Sequence, residues 1–140
     1  MPLQLDAEEL IEYLEDVFPQ VADDFAIDRL EEMEIDLRLK VAERHLRPGA
    51  TVSGPSMFAL ADCAAYMIVL AMIGRQALAV TTNCSIDFMR KPASGKDVIA
   101  RCRLLKLGRA LAVADALLFS DGEAQPVARA SLTYSIPPRG

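Results

Sequence analysis

The chain is poor in histidine, cysteine and aromatic side chains: one histidine, three cysteines and 6% aromatics in 140 residues. A single histidine, His45, with no pair of cysteines at ligand spacing, excludes an ordinary zinc site. Cys63, Cys84 and Cys102 are odd in number, far apart and each set in an apolar run. They read as reduced core fillers, not a disulfide framework, and point to the cytoplasm. The first ten residues offer neither a basic segment nor an apolar core, so no signal peptide is expected. No internal repeat, low-complexity tract or long linker divides the sequence. A single domain over 1–140 is expected, large enough to bury a core without a structural metal, with 1–20 as an N-terminal helical extension.

What is abundant is apolar residue, 52% of the chain against 25% charged. The small apolar surplus suggests a buried contact between subunits. The net charge of −5 is unevenly spread. Up to His45 there are 14 acidic and 4 basic residues; from Leu46 onward there are 6 acidic and 11 basic. An acidic first third argues against wrapping nucleic acid, and a basic remainder suits a small anionic ligand such as one carrying phosphates.

Asp6 with Glu9 makes a cap-like start, and Leu10, Ile11, Leu14 and Val17 follow at helical spacing. Ile35, Leu37, Leu39 and Val41 alternate with charged residues, the period of a strand with one wet face. His45 to Gly54 reads as loop. Pro55 then opens and Gly74 closes a helix of about five turns that is apolar almost all round and must be buried on most sides. A membrane span is not expected, because Asp62 interrupts it and alternating strands follow. Those strands are Ala77 to Phe88, Val98 to Leu107, Leu111 to Phe119 and Val127 to Ile136, the last three joined by short turns as an antiparallel meander. In Ala77 to Phe88 simple alternation groups Thr81, Asn83, Ser85 and Asp87 on one face. The fold class is α+β: an antiparallel sheet wrapped around a long central helix, with a short N-terminal helix, in the element order of the hotdog fold.

Asp62 is the one charge between Met57 and Ile73. A carboxylate in such a run needs compensation, so it marks either a functional site or a structural ion pair.

The segment Val52-Ser53-Gly54-Pro55-Ser56-Met57-Phe58-Ala59-Leu60-Ala61-Asp62, with Thr81-Thr82-Asn83-Cys84-Ser85-Ile86-Asp87-Phe88-Met89-Arg90-Lys91-Pro92, resembles the hotdog acyl-CoA thioesterases of the phenylacetic-acid-degradation (PaaI-like) type. The likeness spans roughly Ile35 to Ile136. It implies that Gly54 supplies an oxyanion-stabilising N–H, that Asp62 is the catalytic acid, and that Thr81 holds the water or the acid. Ser53, Pro55 and Arg47 depart from the family's His, second Gly and Asn, and together with Asn83 they are candidates for lining the substrate. Arg90, Lys91 and Arg109, at strand ends or turns, are candidates for the phosphates of coenzyme A. The chemistry needs no metal or redox cofactor, coenzyme A being part of the substrate.

Thioester hydrolysis needs a positive end for the carbonyl oxygen and an activated nucleophile for the carbon. A helix N-terminus at Gly54 provides the first, and Asp62, as general base or nucleophile, the second. Eight helical residues rise about 12 Å, too far for both groups of one chain to serve one carbonyl. The expected form is therefore a homodimer with shared sites, as the resemblance also implies, or a homotetramer built from it. Two other readings remain: a noncatalytic acyl-CoA-binding hotdog protein, and an acyl-CoA hydratase or dehydratase.

Overall fold

The computed structural model describes residues 2–138. Asp6 caps the first helix, α1 (Ala7–Val17), through a reciprocal pair of bonds with Glu9, the capping box anticipated from their spacing. Leu10 and Leu14 of α1 are buried. Phe18 ends this helix and Pro19 starts a single turn, α2 (Pro19–Ala22).

The main strands are β1 (Phe25–Glu31), β2 (Glu34–Leu39), β5 (Val80–Phe88), β6 (Val98–Leu107), β7 (Leu111–Ser120) and β8 (Ala128–Ser135). These six form one antiparallel sheet, in the order β1-β2-β6-β7-β8-β5. The expected meander is β6-β7-β8, and β5 adds to the far side of β8. The strand β1 was not expected. A bulge between Ile27 and Arg29 breaks its alternation, and the β1–β2 turn uses Glu32-Met33, with Met33 at φ 66°, in place of a recognisable Asn-Gly. The segment expected to be loop also holds order: a 3₁₀ turn at Glu43–His45, then a tiny hairpin of β3 (Leu46–Arg47) and β4 (Thr51–Val52).

The central helix, α3 (Gly54–Ile73), begins one residue earlier than Pro55 suggests. Ser53 is its N-cap, accepting from the Ser56 N–H at 3.3 Å, and Gly74 at φ 93° ends it. By length and a mean hydropathy of 2.0 this helix could cross a membrane, but 72% of that stretch is buried within the protein's own fold. The sheet curls around it: Ile35 and Leu37 of β2, Ala100 of β6 and Leu118 of β7 are wholly buried, as are Leu60 and Ala64 to Ala71 bar Tyr66 on α3. Removing such apolar surface from water supplies about 25 cal/mol per Å². The exceptions on α3 lie on one stripe, with Pro55, Phe58 and Ala59 exposed and Asp62 half-buried.

Candidate active site

Asp62 occupies that stripe two turns into α3, so its carboxyl leaves the core while its backbone stays in it. Two hydroxyls reach it. Thr81 donates to Oδ1 at 2.5 Å and Tyr134 donates to the same oxygen at 2.7 Å. Tyr134 also lies 2.9 Å from the Asp62 carbonyl oxygen. Neither Oδ2 nor any cation takes part: among the described residues Oδ2 has no hydrogen bond and Asp62 no ion pair. The compensation is thus two neutral donors on one oxygen, which rules out the ion-pair reading and leaves the second oxygen free.

Thr81 reaches Asp62 because of a β-bulge. Thr81 pairs with Tyr134 and Asn83 with Thr133, so Thr82 is the extra residue. Beyond the bulge the alternation is shifted by one. Thr81 therefore shares the inner face with Cys84 and Ile86, whereas Asn83, Ser85 and Asp87 face outward, which corrects the simple alternation that grouped Thr81 with them. Asn83 accordingly lies on the opposite side of the sheet from Asp62.

Tyr134 was not among the residues expected at the site. In sequence it is one more apolar position of an alternating strand; only the β5–β8 register sets it opposite Thr81. Burial, and then the charge of Asp62, push its hydroxyl well above the usual tyrosine range, so it remains a donor. Its ring stacks on Tyr66, centroids 6.2 Å apart. Beside Asp62, burial likewise pushes the Cys63 thiol far up, with the Asp62 charge adding to it, and a protonated thiol is no nucleophile.

Asp62, Thr81 and Tyr134 open on a cavity of about 390 Å³, roofed by Val17, Phe18 and Val21 of the N-terminal helices. That volume falls within the range of small-molecule sites, about 300–1,000 Å³.

Gly54 lies at the other end of this arrangement. Its N–H has no hydrogen-bond partner among the described residues, and the Phe88 ring lies over it, 3.4 Å from where a Cβ would stand. The Ser53 hydroxyl is engaged in the cap and with the Ser56 hydroxyl at 3.0 Å. Pro55 is exposed in the first turn. Arg47, exposed on the β3–β4 hairpin, and Arg90 and Lys91, just beyond Phe88, are at this same end, where the Ser94 hydroxyl donates to the Ala50 carbonyl across the gap. Arg90 is steadied by donating to the Pro126 carbonyl at 2.8 Å. Arg109 is not with them. It precedes Leu111, which pairs with Ser135, as does Val80, so it sits at the opposite end of the sheet, on the order of 25 Å away at about 3.3 Å per strand residue. One chain therefore cannot bring Arg109 together with Arg90 and Lys91 onto the same phosphates. His45 is buried beside the head of α3, its carbonyl accepting from the Ser53 N–H at 2.8 Å, while its ring faces away from Asp62, Nδ1 accepting from Ala42 N–H and Nε2 3.4 Å from Asp24.

Comparisons with known proteins agree with this architecture. The thioesterase superfamily model matches residues 49–127. A crystal structure of a protein from Silicibacter sp. TM1040, proposed to be a thioesterase, is 64% identical with a TM-score of 0.93, over 99% of this chain and 96% of that one. A variant of the phenylacetic acid degradation protein PaaI from Thermus thermophilus is 25% identical with a TM-score of 0.71, over 85% and 99% of the two chains. A Streptococcus mutans protein crystallised with acetyl CoA shares the fold at 21% identity and a TM-score of 0.71, over 82% and 90%. Among curated proteins, none matches the chain in sequence. The half of the chain that carries the helix cap, Asp62 and Thr81 is the half the family model covers, and with it this chain belongs to the thioesterase superfamily, as a thioester hydrolase of the hotdog fold.

Proposed function

We propose that the protein hydrolyses an acyl-CoA to the free acid and coenzyme A, as a cytoplasmic homodimer whose sites are shared between subunits. The observation that carries this reading is the carboxylate of Asp62, gripped by two hydroxyls through Oδ1 alone and opening on an apolar cavity. Oδ2 takes the proton of a water attacking the thioester carbon, or attacks that carbon itself to give a mixed anhydride. In either case the C–S bond breaks and the thiolate takes a proton, from Asp62 in the first route and from solvent in the second, to leave as coenzyme A; a mixed anhydride is then hydrolysed by water to the free acid and the Asp62 carboxylate. The carbonyl oxygen needs a donor that this protomer cannot supply, because Gly54 is about 12 Å back along the same helix. The Gly54 N–H of the partner subunit fills that role.

Several features support the dimer. The stripe with Phe58 at 40% exposure is uncovered, β5 is an edge strand, and Leu78, Val80, Phe88 and Met89 around it are exposed. Large apolar side chains left exposed at both ends of an edge strand and on the facing helix stripe suit an interface. The acetyl CoA held by the Streptococcus mutans protein supports a coenzyme A thioester as substrate, and Arg90 and Lys91 beside Gly54 suit its phosphates. The buried free cysteines suit a reducing compartment.

Steady-state hydrolysis of a panel of acyl-CoA thioesters, with Asp62→Asn alongside, tests the proposal. Turnover that falls at least about a thousandfold in the variant is expected. Binding without turnover in the unaltered protein would overturn it in favour of an acyl-CoA-binding role, the reading that the replacements at Ser53, Pro55 and Arg47 favour. Hydration of crotonyl-CoA would overturn it in favour of a hydratase, a reading weakened by His45, whose ring nitrogens are turned to Ala42 and Asp24 and not to Asp62.

A further inference from the structure

We infer that the acyl group lies beneath the N-terminal helices, between α2 and the Asp62 face of α3, and that Phe18 and Val21 select it as an uncharged, apolar chain or ring. This rests on the proposed hydrolase reading, since the thioester carbon is taken to meet Asp62.

Positions 59, 62, 63 and 66 of α3 form one helical stripe, and all four line the cavity. Opposite them stand Phe18 and Val21. An acyl group bonded to a carbon at Asp62 Oδ2 therefore enters a space with a carboxylate at one end and hydrocarbon on the far side. Asp62 is the sole ionisable side chain of charged type among the described lining residues, and no Lys or Arg joins it. A second carboxylate on the acyl group would face the like charge of Asp62 and a hydrocarbon wall with no counter-ion among the described lining residues, so malonyl- and succinyl-type groups are disfavoured. The hydroxyl protons of the wall are also committed: Tyr66 donates to the Ala77 carbonyl at 2.8 Å, and Thr81 and Tyr134 donate to Asp62.

Phe18 is the exposed part of this wall. It falls between two helices, with backbone angles φ −141° and ψ 56°, and remains 41% exposed despite its size. Its unfilled contacts would be completed by an acyl chain. The wall formed by residues 17–25 precedes the matched residues 49–127, so selectivity here is written in a part of the chain outside the family pattern.

The sequence contains no tryptophan, so Phe18→Trp installs a single reporter at the wall. A nonhydrolysable decyl-CoA thioether should shift its emission saturably, whereas coenzyme A alone and a carboxypropyl-CoA thioether should not. In parallel, Val21→Phe should lower the ratio of kcat/KM for decanoyl-CoA to that for acetyl-CoA by at least about tenfold, since single methylenes in an apolar pocket change discrimination by that order. An equal response to coenzyme A alone, or a panel preference untouched by Val21→Phe, would overturn the inference. Turnover of the panel with a silent reporter at position 18 sinks the acyl placement and leaves the hydrolase reading. A responsive reporter with no turnover does the reverse.

Discussion

Asp62 differs from an ordinary buried acid in that its two oxygens have unlike surroundings. Hydroxyls of Thr81 and Tyr134 fix Oδ1, and the rotation of the carboxyl group is fixed with it, so Oδ2 is presented at one position. A hydrogen bond to a charged group is worth about 1.5–3 kcal/mol, equivalent to about 10- to 100-fold in rate if lost at the transition state. Thr81→Val and Tyr134→Phe should each lower kcat by that amount with KM nearly constant. Because both donors share one oxygen, each partly stands in for the other, so the double variant should lose more than the product of the two, which a double-mutant cycle on kcat measures. Of this trio the amino-acid sequence exposes Asp62, as a charge where none belongs, and Thr81 through resemblance. Tyr134 carries no such mark, because an aromatic in an alternating strand is what any core would use.

The elements that aim these side chains depend on small irregularities. One extra residue, Thr82, turns Thr81 from the outer to the inner face of β5. Deleting Thr82 should remove the bulge and leave Thr81 paired with Tyr134 and next to Asn83, so that its hydroxyl stays on the inner face by plain alternation. The expected outcome is a kcat close to that of the unaltered protein, with a cooperative thermal transition retained; a kcat as low as that of Thr81→Val would show that pairing with Tyr134 is not what places Thr81. At the head of α3 the Ser53 cap holds the first turn so that the Gly54 N–H points outward, unbonded. Pro at position 54 would remove that N–H cleanly, because the first helical position tolerates proline and Ser53 already has φ −75° and ψ 157°, the conformation a residue before proline prefers.

That substitution gives a test at the level of the assembly. Gly54→Pro and Asp62→Asn chains should each be inactive alone. Mixed in equal amounts and allowed to exchange, half the dimers are heterodimers with one intact site of two, so about a quarter of the original activity should return if sites are shared. No recovery, with exchange verified by mass, would put donor and carboxylate in the same subunit. Stability of the whole molecule should also fall in alkali. Burial pushes the Cys102 thiol from 9.0 up to about 12, with the Asp115 charge adding to it, and raises Cys63 as well. Folded thiols thus keep protons that unfolded ones release, so their stabilisation is complete below about pH 9 and is lost as pH rises through 9 toward 12. The melting temperature should decline over that window, and less steeply in a Cys63→Ala, Cys102→Ala protein.

The helix and most strands could be read from the chain because their signals are local: Asp6 with Glu9, Gly74 after an apolar run, period-two alternation in 98–107. The strand at 25–31 escaped because a bulge hides its period and its turn has no glycine or asparagine. The site was visible only as isolated candidates. Joining Asp62 to Thr81 and Tyr134, closing the cavity with Phe18 and Val21, and parting Arg109 from Arg90 and Lys91 all depend on strand register and on packing between segments far apart in the chain. Local propensity sets what each segment becomes; which side chains then meet follows from the pairing of its backbone with strands tens of residues away.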